Sequence, residues 1–176
     1  MRDGWITFPP VHRDSVVRVT SPRPRPLPHD PDLEVDEGSD GAPVAVHLTP
    51  TFIALVALGG AAGTLARHGV EQLLGHPDGL PLGTLTVNLV GAFALGALLE
   101  GLATRGSDVG RRRAARLLLG TGFLGGFTTY SALAVETDDL LRDGRVAIAL
   151  AYGLTTVVVG LLASLAGVLC ARRAAR

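Results

Sequence analysis

The chain of 176 residues is 47% hydrophobic and only 18% charged, and its 16 basic residues, all arginine, balance 16 acidic ones. With no basic stripe interleaved with aromatic residues, the composition gives no support to nucleic-acid binding. The single cysteine, Cys170, excludes an intramolecular disulfide and a cysteine metal cluster. The 23 glycines are typical of closely packed membrane helices.

Residues 1–50 differ in composition from the rest of the chain. They hold five arginines against eight acidic residues and many prolines, whereas residues 51–176 hold eleven arginines against eight acidic residues. A segment of this kind does not bury enough apolar surface to offset chain entropy. The sequence predicts a disordered Pro/Asp-rich tail over 1–50 and a membrane domain over 51–176. An Arg-Pro alternation at 22–28 leaves open a polyproline II ligand.

Four runs without any charged residue lie at residues 48–66, 79–99, 117–135 and 146–171. About 20 helical residues cross the ~30 Å hydrocarbon core of a bilayer. The runs therefore predict an all-α integral membrane protein with four transmembrane helices.

Arginines are distributed unequally between the two ends of these spans. Eight lie in the loop after the second span and after the fourth span, against three on the opposite side. Because cytoplasmic segments are enriched in basic residues, this bias predicts a multi-pass protein of the plasma membrane with both termini in the cytoplasm.

Polar residues recur every four positions in the second and fourth spans, which places them on one helix face. In the second span they include Thr84 and Asn88, and in the fourth Tyr152 and Thr156. A buried amide needs a partner, so Asn88 either lines a permeation path or makes an interhelical hydrogen bond. Thr156 either lines the same path or bonds back to its own helix.

The first span contains Gly59 and Gly63, a spacing that favours close helix packing. Arg67 follows one turn later, with Glu71 four residues beyond it. This arginine either forms a local ion pair or provides an electropositive vestibule that attracts anions.

The third span contains a glycine- and threonine-rich stretch at 120–131, which predicts a break in the helix. Gly125 and Gly126 disfavour helix, and Thr128, Thr129 and Ser131 offer partners to the backbone groups that a break sets free. Exposed carbonyls suit a hard cation and half-helix N-termini suit an anion, although a purely structural kink is an alternative.

Three segments in this order, GGAAGTLAR at 59–67, GTLTVNLVGAF at 83–93 and GFLGGFTTYS at 122–131, resemble the CrcB/Fluc family of fluoride channels. The resemblance covers residues 52–171. It implies a fluoride-selective passive channel that exports cytoplasmic fluoride, built as an antiparallel dual-topology dimer. It also implies a structural sodium ion at the dimer centre, bound by the backbone carbonyls of Gly125 and Thr128.

The resemblance also assigns roles to individual residues. It implies a pore that contains Asn88, a polar track with Thr84 and Thr156, and a vestibule arginine at Arg67. The remaining implied pore residues lie in the third-span motif and are Tyr130 and Ser131.

Two positions depart from the family pattern, which has phenylalanine where this chain has Tyr130 and Leu133. Tyrosine keeps an electropositive ring edge, whereas leucine has none to offer an anion. We therefore expect either a heterodimer with an oppositely oriented homologue that supplies the phenylalanines, or a homodimer that tolerates Leu133. The arginine bias supports the heterodimer because it fixes one orientation.

The sequence gives less support to other functions. A small multidrug-type exporter needs a carboxylate in the first span, where none occurs, and Glu136 lies near the end of the third uncharged run. A non-conducting subunit that stabilises a partner is a further alternative. No phosphate loop, metal-ligand spacing or nucleophile–base pair indicates an enzyme. The five histidines are scattered and predicted to lie at the surface.

Overall fold

The computed structural model describes residues 35–37, 43–45, 49–75 and 77–176. In the N-terminal segment, strand β1 (Val35–Glu37) pairs with β2 (Pro43–Ala45) in antiparallel register, with Val35 opposite Ala45. The sequence did not predict this pairing. The rest of the predicted tail, including the Arg-Pro stretch, lies outside the described residues, so its disorder stays a prediction.

Four long apolar helical segments confirm the predicted spans. The first, second and fourth are α1 (Pro50–Leu74), α2 (Leu82–Ala103) and α6 (Val146–Ala174), and a short 3₁₀ turn (Pro77–Gly79) precedes α2. The third span, Arg111–Arg142, has several parts. These are α3 (Arg111–Ala115), a π-helical stretch (Arg116–Leu124), α4 (Gly125–Phe127) and α5 (Tyr130–Arg142).

Helix ends follow local sequence signals. Pro50 occupies the first turn of α1, where its missing N–H is not needed. The same helix ends at Gly75, whose φ of 57° is a conformation that glycine adopts without steric cost. Helix α1 extends beyond its uncharged run, since the charged residues Arg67 and Glu71 belong to its last turns.

The first span runs parallel to the first half of the third span, with which it is in close contact. A Cβ on Gly59 would overlap the Leu118 carbonyl, and one on Gly63 would overlap the carbonyl of Phe123. Increasing residue numbers on one helix therefore meet increasing numbers on the other. The glycine spacing predicted this close packing.

Helices α2 and α6 are also closely packed. They are parallel, because Leu85 near the start of α2 packs against the cluster that contains Ala149 and Tyr152 near the start of α6, and Glu100 near the end of α2 pairs with Arg172 near the end of α6. A Cβ on Gly96 would overlap the Ser164 carbonyl, and one on Gly167 would overlap the carbonyl of Phe93. The buried apolar core is small. Among the described residues it consists of two clusters, one of Val87, Leu124 and Phe127 and one of Leu140, Ala149 and Tyr152. Large apolar side chains are exposed along every span, which is the pattern of helices that face lipid.

The third span is interrupted as predicted, but at other residues than the glycines. Gly125 is helical, with φ −64° and ψ −35°, whereas Thr128 and Thr129 have extended backbone, with ψ values of 156° and 126°. The break therefore falls within the predicted stretch at 120–131, at its threonines, while Gly125 and Gly126, which were expected to disfavour helix, are helical. The reason for a small residue at Gly126 is contact, since a Cβ there would overlap the Gly60 carbonyl.

Candidate functional site

The break in the third span is held by one side chain of α2. The backbone N–H of Thr129 donates to Asn88 Oδ1 at 2.8 Å, and Asn88 Nδ2 donates to the Thr129 carbonyl at 2.9 Å. A single amide thus pairs with both polar groups of one residue that has left the helix. Burying these groups without partners would be costly, so this pairing stabilises the break.

The hydroxyl of Thr129 starts the next helix. Thr129 Oγ1 accepts a hydrogen bond from the Ala132 N–H at 3.2 Å, as the N-cap of α5, and lies 3.2 Å from Ser131 Oγ. The prediction that Thr128, Thr129 and Ser131 satisfy backbone groups at the break is confirmed for Thr129. Thr128 Oγ1 instead donates to the Leu124 carbonyl at 2.9 Å.

These hydrogen bonds change the surroundings of two carbonyl oxygens. In a continuous helix, Gly125 O would accept from the Thr129 N–H and Thr128 O from the Ala132 N–H. Both donors are directed elsewhere, to Asn88 Oδ1 and Thr129 Oγ1. The carbonyls of Gly125 and Thr128 are therefore released from their helical donors and are chemically suited to bind a hard cation.

An open cavity of about 250 Å³ adjoins the break and is lined by Asn88, Thr128, Thr129, Tyr130 and Leu133. The side chain of Tyr130 is 82% exposed, so its ring and hydroxyl project from the surface of this chain. Leu133 is partly buried and packs against the cluster of Leu140, Ala149 and Tyr152. The cavity thus unites five residues that the sequence singled out, but within one chain it is not enclosed.

A second polar cluster joins three spans through Glu136. Its carboxylate accepts from Thr84 Oγ1 at 2.6 Å and from the Tyr152 hydroxyl at 2.7 Å. Thr84 is only 2% exposed. Sequence reasoning missed this cluster because it placed Glu136 near the end of an uncharged run, whereas α5 continues six residues beyond it to Arg142. The four-residue polar repeats containing Thr84 and Tyr152 were the signal that could have found it.

Thr156 lies one turn beyond Tyr152 on α6 and is buried. Its hydroxyl donates to the Tyr152 carbonyl at 2.8 Å, which is the back-bonded alternative considered from the sequence. The hydroxyl oxygen keeps its acceptor capacity, but its proton is engaged.

Arg67 lies in the C-terminal half of α1. Its Nε is 3.9 Å from Glu71 Oε1, and both side chains are about one quarter exposed. This long, partly solvated ion pair contributes little to stability. The local pair considered from the sequence is therefore present, and Arg67 is not among the residues that line the cavity.

The fold and the site define a small polytopic membrane protein with a discontinuous third span, pinned by an asparagine of the second. Comparisons with known proteins agree with this class. A family model described as CrcB-like protein, Camphor Resistance (CrcB), matches residues 54–168. The chain belongs to the CrcB/FluC family, as its motifs predicted.

Several curated relatives are similar over most of their length. Fluoride-specific ion channel FluC 1 of Cutibacterium acnes is 51% identical over 64% of this chain and 80% of its own length. FluC 2 of Leifsonia xyli is 47% identical over 70% of this chain and 85% of its own length. Fluoride-specific ion channel FluC of Paracoccus denitrificans is 50% identical over 66% of this chain and 91% of its own length.

Proposed function

We propose that this protein is a fluoride-selective channel that passively exports cytoplasmic fluoride. The observation that carries the proposal is the break at Thr128 and Thr129, pinned by Asn88, in a chain about half identical to fluoride-specific ion channels. The family consists of channels, and an enzymatic activity is not part of the proposal.

The chemistry of the cavity suits a small anion. Fluoride holds its water strongly, so a pore must replace that water with dense hydrogen-bond donors. The Asn88 amide has two N–H groups. One donates to the Thr129 carbonyl, and the other is left to donate to a ligand. The hydroxyls of Ser131 and Tyr130 and the ring edge of Tyr130 add electropositive groups. For Thr84 and Thr156 to extend the polar path in this proposal, their hydroxyl protons must turn away from Glu136 and from the Tyr152 carbonyl, to which they donate in this structure. Arg67 gathers anions at one mouth.

A structural sodium ion fits the released carbonyls of Gly125 and Thr128. Two oxygens from one chain are too few for a hard cation, but two chains related by a twofold axis would provide four. A bound sodium ion supplies positive charge that offsets the repulsion an anion feels in a low-dielectric interior. The protein's part is to hold the carbonyls in place through Asn88 and Thr129.

The open cavity supports a dimer. Tyr130 is 82% exposed beside polar backbone at the break, an arrangement that lipid alone would not satisfy. A second, antiparallel copy or homologue would cover the break and enclose the cavity. Leu133 at the cavity wall favours an oppositely oriented homologue with a phenylalanine there, and it also sustains the second candidate, a half-pore or non-conducting subunit of such a dimer.

We further propose that both termini lie in the cytoplasm of a cell whose plasma membrane contains the channel. The inside-negative potential then drives fluoride out. At about 2.3 kcal/mol per charge per 100 mV, it supports export roughly tens-fold against a gradient without ATP or proton coupling.

A growth assay tests the proposal in cells. Expression in a bacterium that lacks fluoride export should restore growth in fluoride and lower cytoplasmic fluoride, measured with a fluoride electrode after lysis. Expression of the Asn88→Asp variant serves as the matched control. If wild type and this variant protect equally, both alone and with an oppositely oriented homologue, the proposed function is wrong.

A further inference from the structure

One end of the helical bundle carries a strong positive charge. It comprises the C-terminal ends of α2 and α6, the loop after α2 and the start of the third span. Arg172 Nε lies 2.8 Å from Glu100 Oε1 and joins the ends of α6 and α2. We name this end the arginine face. Its arginines are Arg105, Arg111, Arg112, Arg113, Arg116, Arg172, Arg173 and Arg176.

The acidic residues of the arginine face are few and already engaged. Glu100 pairs with Arg172, and Asp108 Oδ2 lies 2.7 Å from Arg116 Nη2. Because the described part of this end has eight arginines and these two carboxylates, its net charge is about +6. The ion pairs leave most of that charge uncompensated.

Several of the other arginines serve to fold the loop. Arg105 Nη1 donates to the Gly101 carbonyl at 2.6 Å, and Arg112 Nε donates to the Ser107 carbonyl at 2.9 Å. Neutral acceptors order these side chains without cancelling their charge. The side chains of Arg111 and Arg173 make no hydrogen bond or ion pair with other described residues, so their guanidinium groups are available to a ligand.

Each of these two arginines has an exposed aliphatic residue close by in the sequence. Val109 is 49% exposed two residues before Arg111, and Leu169 is 43% exposed one turn before Arg173. Exposed aliphatic side chains next to guanidinium groups at the ends of membrane spans are typical of the boundary between acyl chains and headgroups. This setting favours a lipid over a nucleic acid or an acidic peptide.

We propose that the arginine face binds the phosphate groups of anionic phospholipids, with Arg111 and Arg173 as principal ligands. Guanidinium groups pair with phosphate oxygens through two parallel hydrogen bonds. The opposite end of the bundle has only three arginines among its described residues, and it has Asp138, Asp139 and Asp143 in and just after α5. Anionic lipid therefore binds one end of the chain, whatever ion the channel conducts.

Native mass spectrometry of the purified full chain in neutral detergent tests this proposal. The chain is titrated with phosphatidylglycerol and with phosphatidylcholine of identical acyl chains. At about fivefold per arginine, the Arg111→Gln/Arg173→Gln double variant should bind phosphatidylglycerol about 25-fold more weakly, with phosphatidylcholine unaffected. Arg142→Gln removes one charge at the opposite end of the bundle and serves as the control. It should leave the binding of phosphatidylglycerol unchanged.

A lysine variant and a competition with inorganic phosphate test the proposal further. The charge-preserving Arg111→Lys/Arg173→Lys variant should bind more weakly than wild type but more tightly than the double glutamine variant, because lysine keeps the charge and loses the two parallel hydrogen bonds. Inorganic phosphate at the same concentration should not displace phosphatidylglycerol. Displacement by phosphate, equal loss in Arg142→Gln, or undiminished binding by the double glutamine variant would each overturn the proposal.

Discussion

Asn88 has an observed structural role and a proposed functional one. Sequence reasoning offered an interhelical hydrogen bond or a pore-lining amide as alternatives, and the structure contains the hydrogen bond, in both directions, to Thr129. The second N–H of the Asn88 amide does not take part in this pairing, so the proposed pore role is compatible with it. Mutation of Asn88 would then remove both the support of the break and the proposed contact with the ion.

Asn88→Asp separates the two hydrogen bonds to Thr129. The carboxylate still accepts from the Thr129 N–H but cannot donate to its carbonyl, and it adds a negative charge beside the proposed anion path. We expect fluoride transport to be abolished and stability to fall by about 1–3 kcal/mol. Fluoride efflux and denaturant unfolding in detergent measure the two effects. Thr104→Ala, which removes an exposed hydroxyl bonded to its own helix, is the control and should leave both unchanged.

The Glu136 cluster predicts coupling between two hydroxyls that donate to one carboxylate. Tyr152→Phe and Thr84→Val each remove one donor and should each cost about 1–3 kcal/mol of unfolding free energy. Because both act on Glu136, the double variant should deviate from additivity by at least about 0.5 kcal/mol. A double-mutant cycle of unfolding free energies measures this. Strict additivity would mean that the two hydroxyls do not share the carboxylate.

At the scale of elements, the glycines of α1 and the third span act through contact. The GxxxG spacing of α1 predicted close packing correctly, because small residues at that spacing lie on one helix face. The break lies within the predicted stretch, but its glycines are helical, because glycine has two uses and intrinsic propensity cannot tell a helix breaker from a contact residue. The π-helical stretch at Arg116–Leu124 has no sequence signal that we could have used.

Gly126→Ala tests the contact role of the third-span glycines. Its Cβ would overlap the Gly60 carbonyl, so α1 and the third span must separate, at an expected cost of about 1–3 kcal/mol. Gly153→Ala on α6 is the matched control, because nothing lies within 4 Å of a Cβ there. That variant should be neutral or more stable by about 0.5–1 kcal/mol. Thermal unfolding in detergent compares them, and equal midpoints would contradict the contact role.

At the scale of the whole molecule, the number of spans followed from the lengths of uncharged runs, because the thickness of a bilayer sets the length of a helix. Which residues share a cavity did not follow from length or hydropathy. The third-span motif and Asn88 come together as the family resemblance implied, whereas Arg67 does not line that cavity and Glu136 was missed. Tertiary contacts between α2, α5 and α6 bring Glu136 to its partners. The polar repeats containing Thr84 and Tyr152 mark the helix faces involved, but they do not encode the contact of those faces with Glu136.

Leu133→Phe tests whether the assembly needs a partner. The added ring would stand at the cavity wall beside Tyr130, where the proposal requires an electropositive edge. We expect this variant, reconstituted alone, to transport fluoride at least several-fold faster than wild type alone, despite an overpacking cost of about 1–3 kcal/mol. Tyr130→Phe alone is the control and should not activate the chain. Unchanged transport in Leu133→Phe would argue against a missing aromatic as the defect.

The most direct test of the central claim is ion efflux from liposomes that contain this chain alone or together with an oppositely oriented homologue, with chloride as the control anion. We predict fluoride-selective efflux in at least one of the two preparations, and its loss when Asn88→Asp replaces the wild-type chain. Efflux of chloride and fluoride at equal rates, or no efflux from either preparation, would contradict the proposal that this protein is part of a fluoride channel.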